Sequence, residues 1–463
     1  MCIDSCCRQK INAMSLPKLF CQRGCSVSKS LFQPIMMKQI GKMALLALCV
    51  VCIQPSMAGE EQERPRKEKV RLAIVSTRGE SGDEEIIEIF TKTQRPRFHD
   101  PGVPRFVLTG PRKNWALGVG GYVQAKVEYD FDGVVDDIDF YPSLISTDNP
   151  RNQFQMDATT STLFLKLVGR VGSLGPLVVY TAGNWRGDGK TFELQNAYVQ
   201  FLGFTLGYDT GTFMDLAAEP PTVDYAGPCG MTYYQTTLIR YEHTLGKGFS
   251  AGIAVEMPLV NVAADSYVST ARQTLPSIPA YLQYAWSKGQ SHVRLSGIYR
   301  SMTYADLSRN RKSCLNGWGV QASAVVAVGR PLQLFMQYAY GKGIGSLIND
   351  LSNLNVDMVP YPETQRKMHL LPMSGWYVGA QYNISPALFV SATYSCSRLY
   401  TEHFYARENP GDYKQGQYLV ANIFWTAISD FQLGVEYLRG WCTDFRNHVD
   451  RANRINLSAK YSF

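Results

Sequence analysis

The sequence predicts an all-β protein, a transmembrane antiparallel barrel of about sixteen strands, and three observations support this prediction. From Trp115 onward, apolar and polar side chains alternate. Short turns rich in Gly, Pro or Ser alternate with longer polar connections. The chain also carries an export signal and ends in an alternating stretch closed by Phe463. These features are typical of outer-membrane barrels with short periplasmic turns and long extracellular loops.

The composition excludes the main competing membrane class. Of 463 residues, 45% are hydrophobic, which is enough for one large domain. A helical membrane protein needs several apolar stretches of about 18 residues. The one apolar candidate, residues 43–53, is too short. We therefore expect the chain to cross the membrane with strands, in keeping with its 27 Tyr and 39 Gly.

The net charge of +7 gives no indication of nucleic-acid binding. Residues 1–58 contain seven of the 46 basic residues and one of the 39 acidic residues. The remaining chain therefore has 39 basic and 38 acidic residues, a net charge of +1. The basic excess lies in a segment that we expect to be removed, so no nucleic-acid partner is predicted.

The export signal precedes Ala58. Lys38 and Lys42 form a positive region, residues 43–53 form an apolar region, and small residues follow up to Ala58. This order predicts a signal peptide cleaved after Ala58. A lipoprotein signal is the alternative, but Cys49 and Cys52 follow the bulky residues Leu48 and Val51.

The chain divides into three parts. Residues 1–58 are the predicted leader, and residues 59–114 are polar and Pro-punctuated, as expected of a periplasmic lead-in. Within the lead-in, residues 83–91 are either a short helix or flexible. Residues 115–463 are the predicted outer-membrane barrel.

The first predicted strand shows the two faces of a barrel wall. Side chains alternate along a strand, so one face suits lipid and the other a wet lumen. A soluble sandwich would show the same alternation, and the connections discriminate between the two folds. The apolar face holds Val119, Gly121, Val123, Ala125, Val127 and Tyr129, and the polar face holds Tyr122, Gln124, Lys126, Glu128 and Asp130.

The connections predict the number of strands. Seven short turns alternate with eight longer loops, which implies about sixteen strands and an interior wide enough for an aqueous channel. The turns lie at residues 172–176, 202–203, 246–248, 287–290, 329–331, 385–386 and 429–430. The loops lie at residues 131–152, 187–190, 211–235, 258–277, 305–315, 344–374, 401–415 and 443–452.

The C-terminal strand carries an assembly signal. Its alternating face holds Ile455, Leu457, Ala459, Tyr461 and Phe463. A terminal Phe that closes such a strand resembles the signal read by the outer-membrane assembly machinery. We therefore expect that machinery and outer-membrane lipid as partners, and the bacterial outer membrane as the location.

Four cysteines lie beyond the leader: Cys229, Cys314, Cys396 and Cys442. They allow three pairings, and sequence cannot choose among them. The sequence favours unpaired thiols, because a large barrel does not need disulfides to replace a core. None of the four forms a CxxC motif, and no metal or cofactor is predicted.

Three stretches of the barrel resemble the DcaP-like trimeric porins. The first has Asn196-Ala197-Tyr198-Val199-Gln200-Phe201, Gly207, Thr212-Phe213-Met214-Asp215 and Pro221-Thr222-Val223-Asp224-Tyr225-Ala226-Gly227. The second has Gly341-Lys342-Gly343-Ile344-Gly345, Leu371-Pro372, Gly375-Trp376-Tyr377-Val378-Gly379 and Ser385-Pro386. The third has Gly434-Val435-Glu436-Tyr437-Leu438 and Ala452-Asn453-Arg454-Ile455.

This resemblance implies a sixteen-stranded homotrimer of Gram-negative bacteria that passes small, often anionic, solutes. The sequence departs from the family in two ways. The long N-terminal coiled coil of some members is absent, and Glu193 and Gln195 stand where the resemblance leads us to expect basic residues. The second departure puts the family's preference for dicarboxylates in doubt here.

The charges of the lumen are the predicted functional site, because a porin selects solutes by electrostatics. By alternation, eight basic side chains point inward: Lys126, Lys166, Arg170, Arg240, Arg294, Arg300, Arg454 and Lys460. Lys126, Lys166 and Lys460 fall on three neighbouring strands, where they would form a basic wall. The alternative is scattered charge that is balanced by Glu128, Glu242, Glu256 and Glu436.

The connection at residues 211–235 is predicted to fold into the pore, with an ordinary extracellular loop as the alternative. Its acidic residues are Asp215, Glu219 and Asp224, and its prolines stiffen it. If these acids face the basic wall as exposed, ionised groups, they create a transverse field with mild anion preference.

Enzyme activity is not predicted. Six His residues are scattered, and no GxSxG, HExxH or Gly-rich phosphate loop is present. The predicted function is diffusion of small hydrophilic solutes, with anionic carboxylates among them. The alternative is an adhesion or scaffold barrel with an occluded lumen.

Overall fold

The computed structural model describes residues 73–76, 84–95, 97–110, 114–147, 151–361, 367–401 and 403–463. All of them belong to one compact unit. The predicted leader at residues 1–58 and its cleavage site after Ala58 lie outside the described residues.

The described chain forms a closed antiparallel barrel of sixteen strands, as the sequence predicts. Consecutive strands pair, and the last strand pairs with the first. The second wall strand is interrupted and is counted as β6 plus β7. The wall strands are β3 (Trp115–Phe131), β6 (Gln153–Asp157), β7 (Thr162–Arg170), β8 (Pro176–Gly187), β9 (Thr191–Phe201), β10 (Phe204–Thr210), β11 (Gln235–Gly246), β12 (Phe249–Glu256), β14 (Ile278–Trp286), β15 (Ser291–Asp306), β16 (Arg311–Val328), β17 (Leu332–Lys342), β20 (Pro372–Ser385), β21 (Leu388–Leu399), β22 (Tyr413–Ile428), β23 (Phe431–Asp444) and β24 (Val449–Ser462).

The other elements are short. Two strands precede the barrel, and the second of them pairs with the first residues of β3. Residues 84–92 form a helix, in the segment that the sequence analysis described as either a short helix or flexible. These elements are β1 (Ala73–Ser76), α1 (Glu84–Lys92), β2 (Phe106–Thr109), β4 (Val134–Val135), β5 (Ile145–Ser146), β13 (Val268–Thr270), β18 (Val359–Tyr361), β19 (Lys367–His369) and α2 (His403–Glu408).

The alternation in β3 corresponds to the two faces of the wall. Val119 and Val123 are 55% and 58% exposed on the outside, whereas Lys126 is 1% exposed inside. Such a wall turns apolar side chains to lipid and polar ones to the lumen. No helix in the described part of the chain is long and apolar enough to cross a membrane.

The C-terminal residue completes the barrel. Phe463 donates its backbone N–H to the Gly121 carbonyl over 3.0 Å and accepts the Gly121 N–H over 3.2 Å. Ser458 lies opposite Lys126 in the same strand pair. The closing strand is therefore bonded to β3 through its last residue.

The connections alternate as predicted. The two-residue turn at Leu202 and Gly203 has positive φ at both positions, the geometry that joins tightly twisted hairpin strands. Most connections at the opposite end are longer, and in such barrels the end with short turns faces the periplasm. No disulfide joins Cys229, Cys314, Cys396 and Cys442 in the described structure.

Apolar packing continues inside the barrel, where several loops fold inward. The largest cluster joins residues of four loops, including Phe140, Phe213, Ile348 and Tyr405, to inner-wall residues such as Tyr418. These inward-folded loops fill much of the barrel interior. Their packing against the inner wall holds the residues of the functional site in place.

Candidate functional site

Residues 211–234, here called the inward loop, leave β10 and fold into the lumen before β11 begins. Tyr377 donates its hydroxyl to the Ala218 carbonyl over 2.7 Å, and Gly230 donates its N–H to Ser395 over 2.8 Å. Tyr377 and Ser395 are inner-wall residues of β20 and β21. Backbone groups of the inward loop thus find partners on the wall, as buried backbone groups must.

Asp215 fixes the first part of the inward loop. It accepts hydrogen bonds from His292 over 2.8 Å and from Ser323 over 2.6 Å. Burial alone would raise the pKa of the Asp215 carboxyl, but the His292 hydrogen bond and the nearby Arg294 outweigh it and lower the pKa. Asp215 is 6% exposed.

Asp224 anchors the second part. It accepts the Phe140 N–H over 3.1 Å and the Tyr418 hydroxyl over 3.0 Å. Glu436 accepts the backbone N–H of Asp224 over 2.9 Å. Burial raises the pKa of the Asp224 carboxyl well above its usual value, and the neighbouring Asp139 and Glu436 raise it further.

Glu219 pairs with a residue that precedes the barrel. Its Oε2 lies 2.5 Å from Arg97 Nε, and both side chains are at most 3% exposed. Arg97 also donates to the Tyr233 hydroxyl over 2.9 Å and to the Tyr225 carbonyl over 3.1 Å. The inward loop is therefore bound to the chain N-terminal to β3.

That N-terminal stretch, residues 94, 95 and 97–101, is here called the luminal segment. Arg95 lies 2.5 Å from Asp209 of β10 and 2.9 Å from Asp100. The Tyr122 hydroxyl donates to the His99 carbonyl over 3.0 Å. The segment therefore lies inside the barrel, a placement that the sequence interpretation of a periplasmic lead-in did not include.

Phe98 and His99 complete the packing of the luminal segment. The Phe98 ring packs edge-on against Phe389 and Phe424, with centroids 6.3 Å and 5.1 Å apart. His99 is 5% exposed, with Nε2 3.9 Å from Glu219. Burial lowers the pKa of His99 well below its ordinary value, and Arg97, Lys460 and Lys126 lower it further.

The helix α1 is seated against the inner wall beneath the luminal segment. Phe90 is fully buried, and Lys166 donates to its carbonyl over 2.6 Å. A Cβ at Gly118 would overlap the Phe90 ring, so the glycine makes room for the helix. The wall of β3 is therefore shaped to hold α1.

Three of the predicted inward cations lie near the closure of the barrel. Lys126 Nζ is 3.1 Å from Glu128, and Arg454 is 2.5 Å from Asp130. Lys460 lies over the Phe98 and Tyr122 rings, 5.2 Å and 5.1 Å from their centroids. Lys126 and Arg454 are thus balanced by carboxylates, whereas Lys460 covers the luminal segment.

Arg240 and Arg294 face the lumen on neighbouring parts of the wall. Arg240 lies 2.9 Å from Asp209 and 3.1 Å from Glu242. Arg294 donates to the Thr212 carbonyl over 2.6 Å, and its guanidinium lies 3.6 Å from the centroid of the Tyr281 ring.

The last two predicted cations lie elsewhere. Arg300 is 1% exposed and lies 3.3 Å from Asp357, and it contacts the Gly343 carbonyl beneath a loop. Arg170 is exposed at the periplasmic end of β7. The eight cations therefore share no common surface.

The hypothesis of a continuous lysine wall is wrong. Lys166 lies opposite Gly118, eight positions along β3 from Lys126. Eight residues of strand span roughly 26 Å, so the two lysines lie far apart along the barrel axis. Alternation indicates which face of the wall a side chain lies on, but it does not indicate its position along that axis. The acids of the inward loop are also buried and bonded, not exposed across an open gap.

Two cavities flank the luminal segment. The periplasmic cavity has a volume of about 370 Å³. The cavity on the extracellular side has a volume of about 10 Å³, the space of one water. Arg95 lines both cavities.

Sequence reasoning missed these residues of the smaller cavity: Arg95, Arg97, His99, Tyr225 and Tyr233. The alternation that identified inward side chains exists only within strands, and these residues lie outside them. The sequence signal for this site was Arg97-Phe98-His99, in which two nitrogen-bearing side chains flank an aromatic one. This short motif does not indicate which residues of the barrel it contacts.

Comparison with solved structures agrees with this architecture. The outer membrane channel DcaP of Acinetobacter baumannii is 20% identical, with 76% of this chain and 98% of that chain covered, at a TM-score of 0.67. Salmonella typhi OmpF, solved with daunomycin, is 12% identical, with 76% and 98% covered, at a TM-score of 0.51. These likenesses establish the fold.

The search of curated proteins found no match. The description of the DcaP outer membrane protein family, in contrast, matches residues 116–463, which is the whole barrel apart from its first residue. This match covers well over half of the chain and agrees with the closed barrel described above. The chain therefore belongs to the DcaP outer membrane protein family and is a protein of the bacterial outer membrane.

Proposed function

We propose that this barrel is a narrow porin through which small hydrophilic solutes diffuse across the outer membrane. The observation that carries this proposal is the inward loop, which crosses a lumen walled by polar side chains such as Gln124, Asn196 and Gln337. A loop that narrows a wet barrel without sealing it is how such channels select solutes by size and charge.

The route runs between the luminal segment and the wall of β8 to β11. The two cavities on either side of Arg95 mark its ends. Arg95 is held by Asp209 and Asp100, so the narrowest point is lined by charged groups in fixed positions. The cavity on the extracellular side holds about one water, so solutes pass there only when the luminal segment moves.

We also propose a mild preference for anions. The periplasmic cavity is lined by four basic side chains, Lys92, Arg95, Arg240 and Arg294, and by two acidic ones, Asp209 and Glu242. In a confined site an excess of fixed positive charge concentrates anions, and salt screens the effect. Carboxylates are the small hydrophilic anions that this proposal favours.

A second candidate is a scaffold or adhesion barrel whose lumen stays closed. The burial of Arg97 and His99, each 5% exposed, favours it. Swelling of liposomes containing the purified chain separates the two. Swelling in small solutes with a sharp size limit supports the porin, and no swelling in any solute supports the scaffold.

The trimer, the cleaved leader and the lead-in remain proposals. The trimer is supported by the family resemblance, and mass photometry in detergent should give three chains per particle.

Cleavage after Ala58 is supported by the order of the signal regions. N-terminal sequencing of the protein from outer membranes should begin at Gly59, and we propose that a periplasmic stretch follows and ends before α1.

A further inference from the structure

An apolar groove lies on the outer, lipid-facing surface of β20 to β24. Its volume is about 660 Å³. Ala380, Ala392 and Ala421 lie directly opposite one another on three adjacent strands and form its floor. Larger side chains surround this floor: Tyr382, Val390, Ile423, Val435, Tyr437 and Ile455.

Three arginines lie on the same outer face, between the groove and the extracellular loops. Arg439 is two residues beyond Tyr437 on β23, and Arg398 is six beyond Ala392 on β21. Arg451 lies opposite Trp441 in the pairing of β23 with β24. In this part of the face, none of the outward-facing residues of these five strands is acidic.

Two of these arginines stack on aromatic rings, and none of the three forms an ion pair with another residue in the part of the chain that the structure describes. The Arg439 guanidinium lies 5.1 Å from the Trp441 ring centroid, and that of Arg398 lies 5.1 Å from the Tyr400 centroid. The Nε groups of Arg398 and Arg439 are buried and lack a hydrogen-bond partner among the described residues. Guanidinium groups that are oriented by an aromatic ring and form no ion pair with a described carboxylate are suited to bidentate recognition of phosphate.

The position of the face determines which ligand can reach it. The short turns lie at the far end of these strands, so the arginines stand at the level of the outer leaflet head groups. A lipid there presents its phosphates to the arginines and its acyl chains to the groove below. Clusters of basic residues at this depth are known to hold anionic head groups.

We propose that this face is a binding site for a phosphorylated glycolipid of the outer leaflet, of the lipid A type. Arg398, Arg439 and Arg451 contact its phosphates, and one acyl chain lies across Ala380, Ala392 and Ala421. The proposal depends on the fold and the outer-membrane location, and it holds whether or not the lumen conducts.

Native mass spectrometry of the full processed chain in mild detergent tests this site, with purified bisphosphorylated lipid A as the probe. We expect Arg398→Gln combined with Arg439→Gln to weaken binding by about tenfold or more. The control is Lys247→Gln combined with Lys288→Gln, which removes two positive charges from the periplasmic turns and should leave binding unchanged. Monophosphorylated lipid A should bind less tightly than the bisphosphorylated form.

A second variant tests the groove itself. Ala392→Trp fills the floor and should reduce binding while leaving the arginines in place. Equal binding by the native chain and the double arginine variant would overturn the proposal, as would equal losses in the variant and its control. If the variants instead change the number of chains per particle and leave lipid binding intact, the face is an interface between copies and the lipid site is wrong.

Discussion

Arg97 and Glu219 form a buried ion pair inside the barrel, with Nε and Oε2 2.5 Å apart. The two residues are 122 positions apart in sequence and belong to the luminal segment and the inward loop. Their contact joins the two pieces of chain that narrow the lumen. We therefore expect the width of the pore to depend on this pair.

Removing the carboxylate from this pair should widen the pore. Glu219→Gln leaves the Arg97 charge buried without compensation, which costs about 3–5 kcal/mol for a buried pair. We expect the luminal segment to lose its bound position and the single-channel conductance to rise. The matched control is Glu408→Gln, which makes the same change at an exposed position of α2 in an outer loop and should leave conductance unchanged.

Acidification should open the pore through His99. The pKa of His99 in the folded protein lies well below its ordinary value of 6.5. The stabilising effect of neutral His99 is present above 6.5 and is lost as the pH falls through the folded-state pKa. Conductance of the native channel should rise in acid. His99→Asn, which cannot be protonated, should give a flat profile, and an unchanged acid response in this variant would disprove the assignment.

Raising the pH should loosen the inward loop through Asp224. The folded-state pKa of Asp224 is raised, so its contribution is present at low pH and is lost as the pH rises through that pKa. Ionisation adds a charge beside Asp139 and Glu436, and we expect more frequent gating events. Asp224→Asn can still bond to Phe140 and Tyr418, and its gating frequency should not vary with pH. A pH-dependent Asn variant would contradict this explanation.

Filling the space above Gly118 should displace α1. A side chain at this position overlaps the Phe90 ring, and overpacking of a core costs about 1–3 kcal/mol. Gly118→Val should therefore lower the thermal stability and increase the conductance, both measured on the purified protein. Adding Phe90→Ala should restore part of the stability. If the second change instead lowers stability further, the two residues are not in contact.

The proposed anion preference should depend on Arg294. Among the described residues this guanidinium has no carboxylate within ion-pair distance, so its charge acts on the solute pathway. Arg294→Gln should shift the reversal potential in a salt gradient toward cations. Arg330→Gln removes the same charge from an exposed turn and should have little effect. Equal shifts in both variants would mean that net charge alone sets the selectivity.

The sequence predicted the wall because its signals are local. The alternation of Val119 to Asp130 and the turn at Leu202 and Gly203 each depend on neighbouring residues. The heights of Lys126 and Lys166 were not predicted, because height depends on strand register. The pairing of Arg97 with Glu219 was not predictable either, since neither residue lies in a strand and no local period connects them.

Single-channel conductance in planar bilayers tests the central claim most directly. If the barrel is a porin narrowed by the luminal segment, the purified native chain should give small, regular conductance steps, and Glu219→Gln should give larger ones. If neither the native chain nor this variant conducts under any applied voltage, the lumen is closed and the channel function proposed for this protein is wrong.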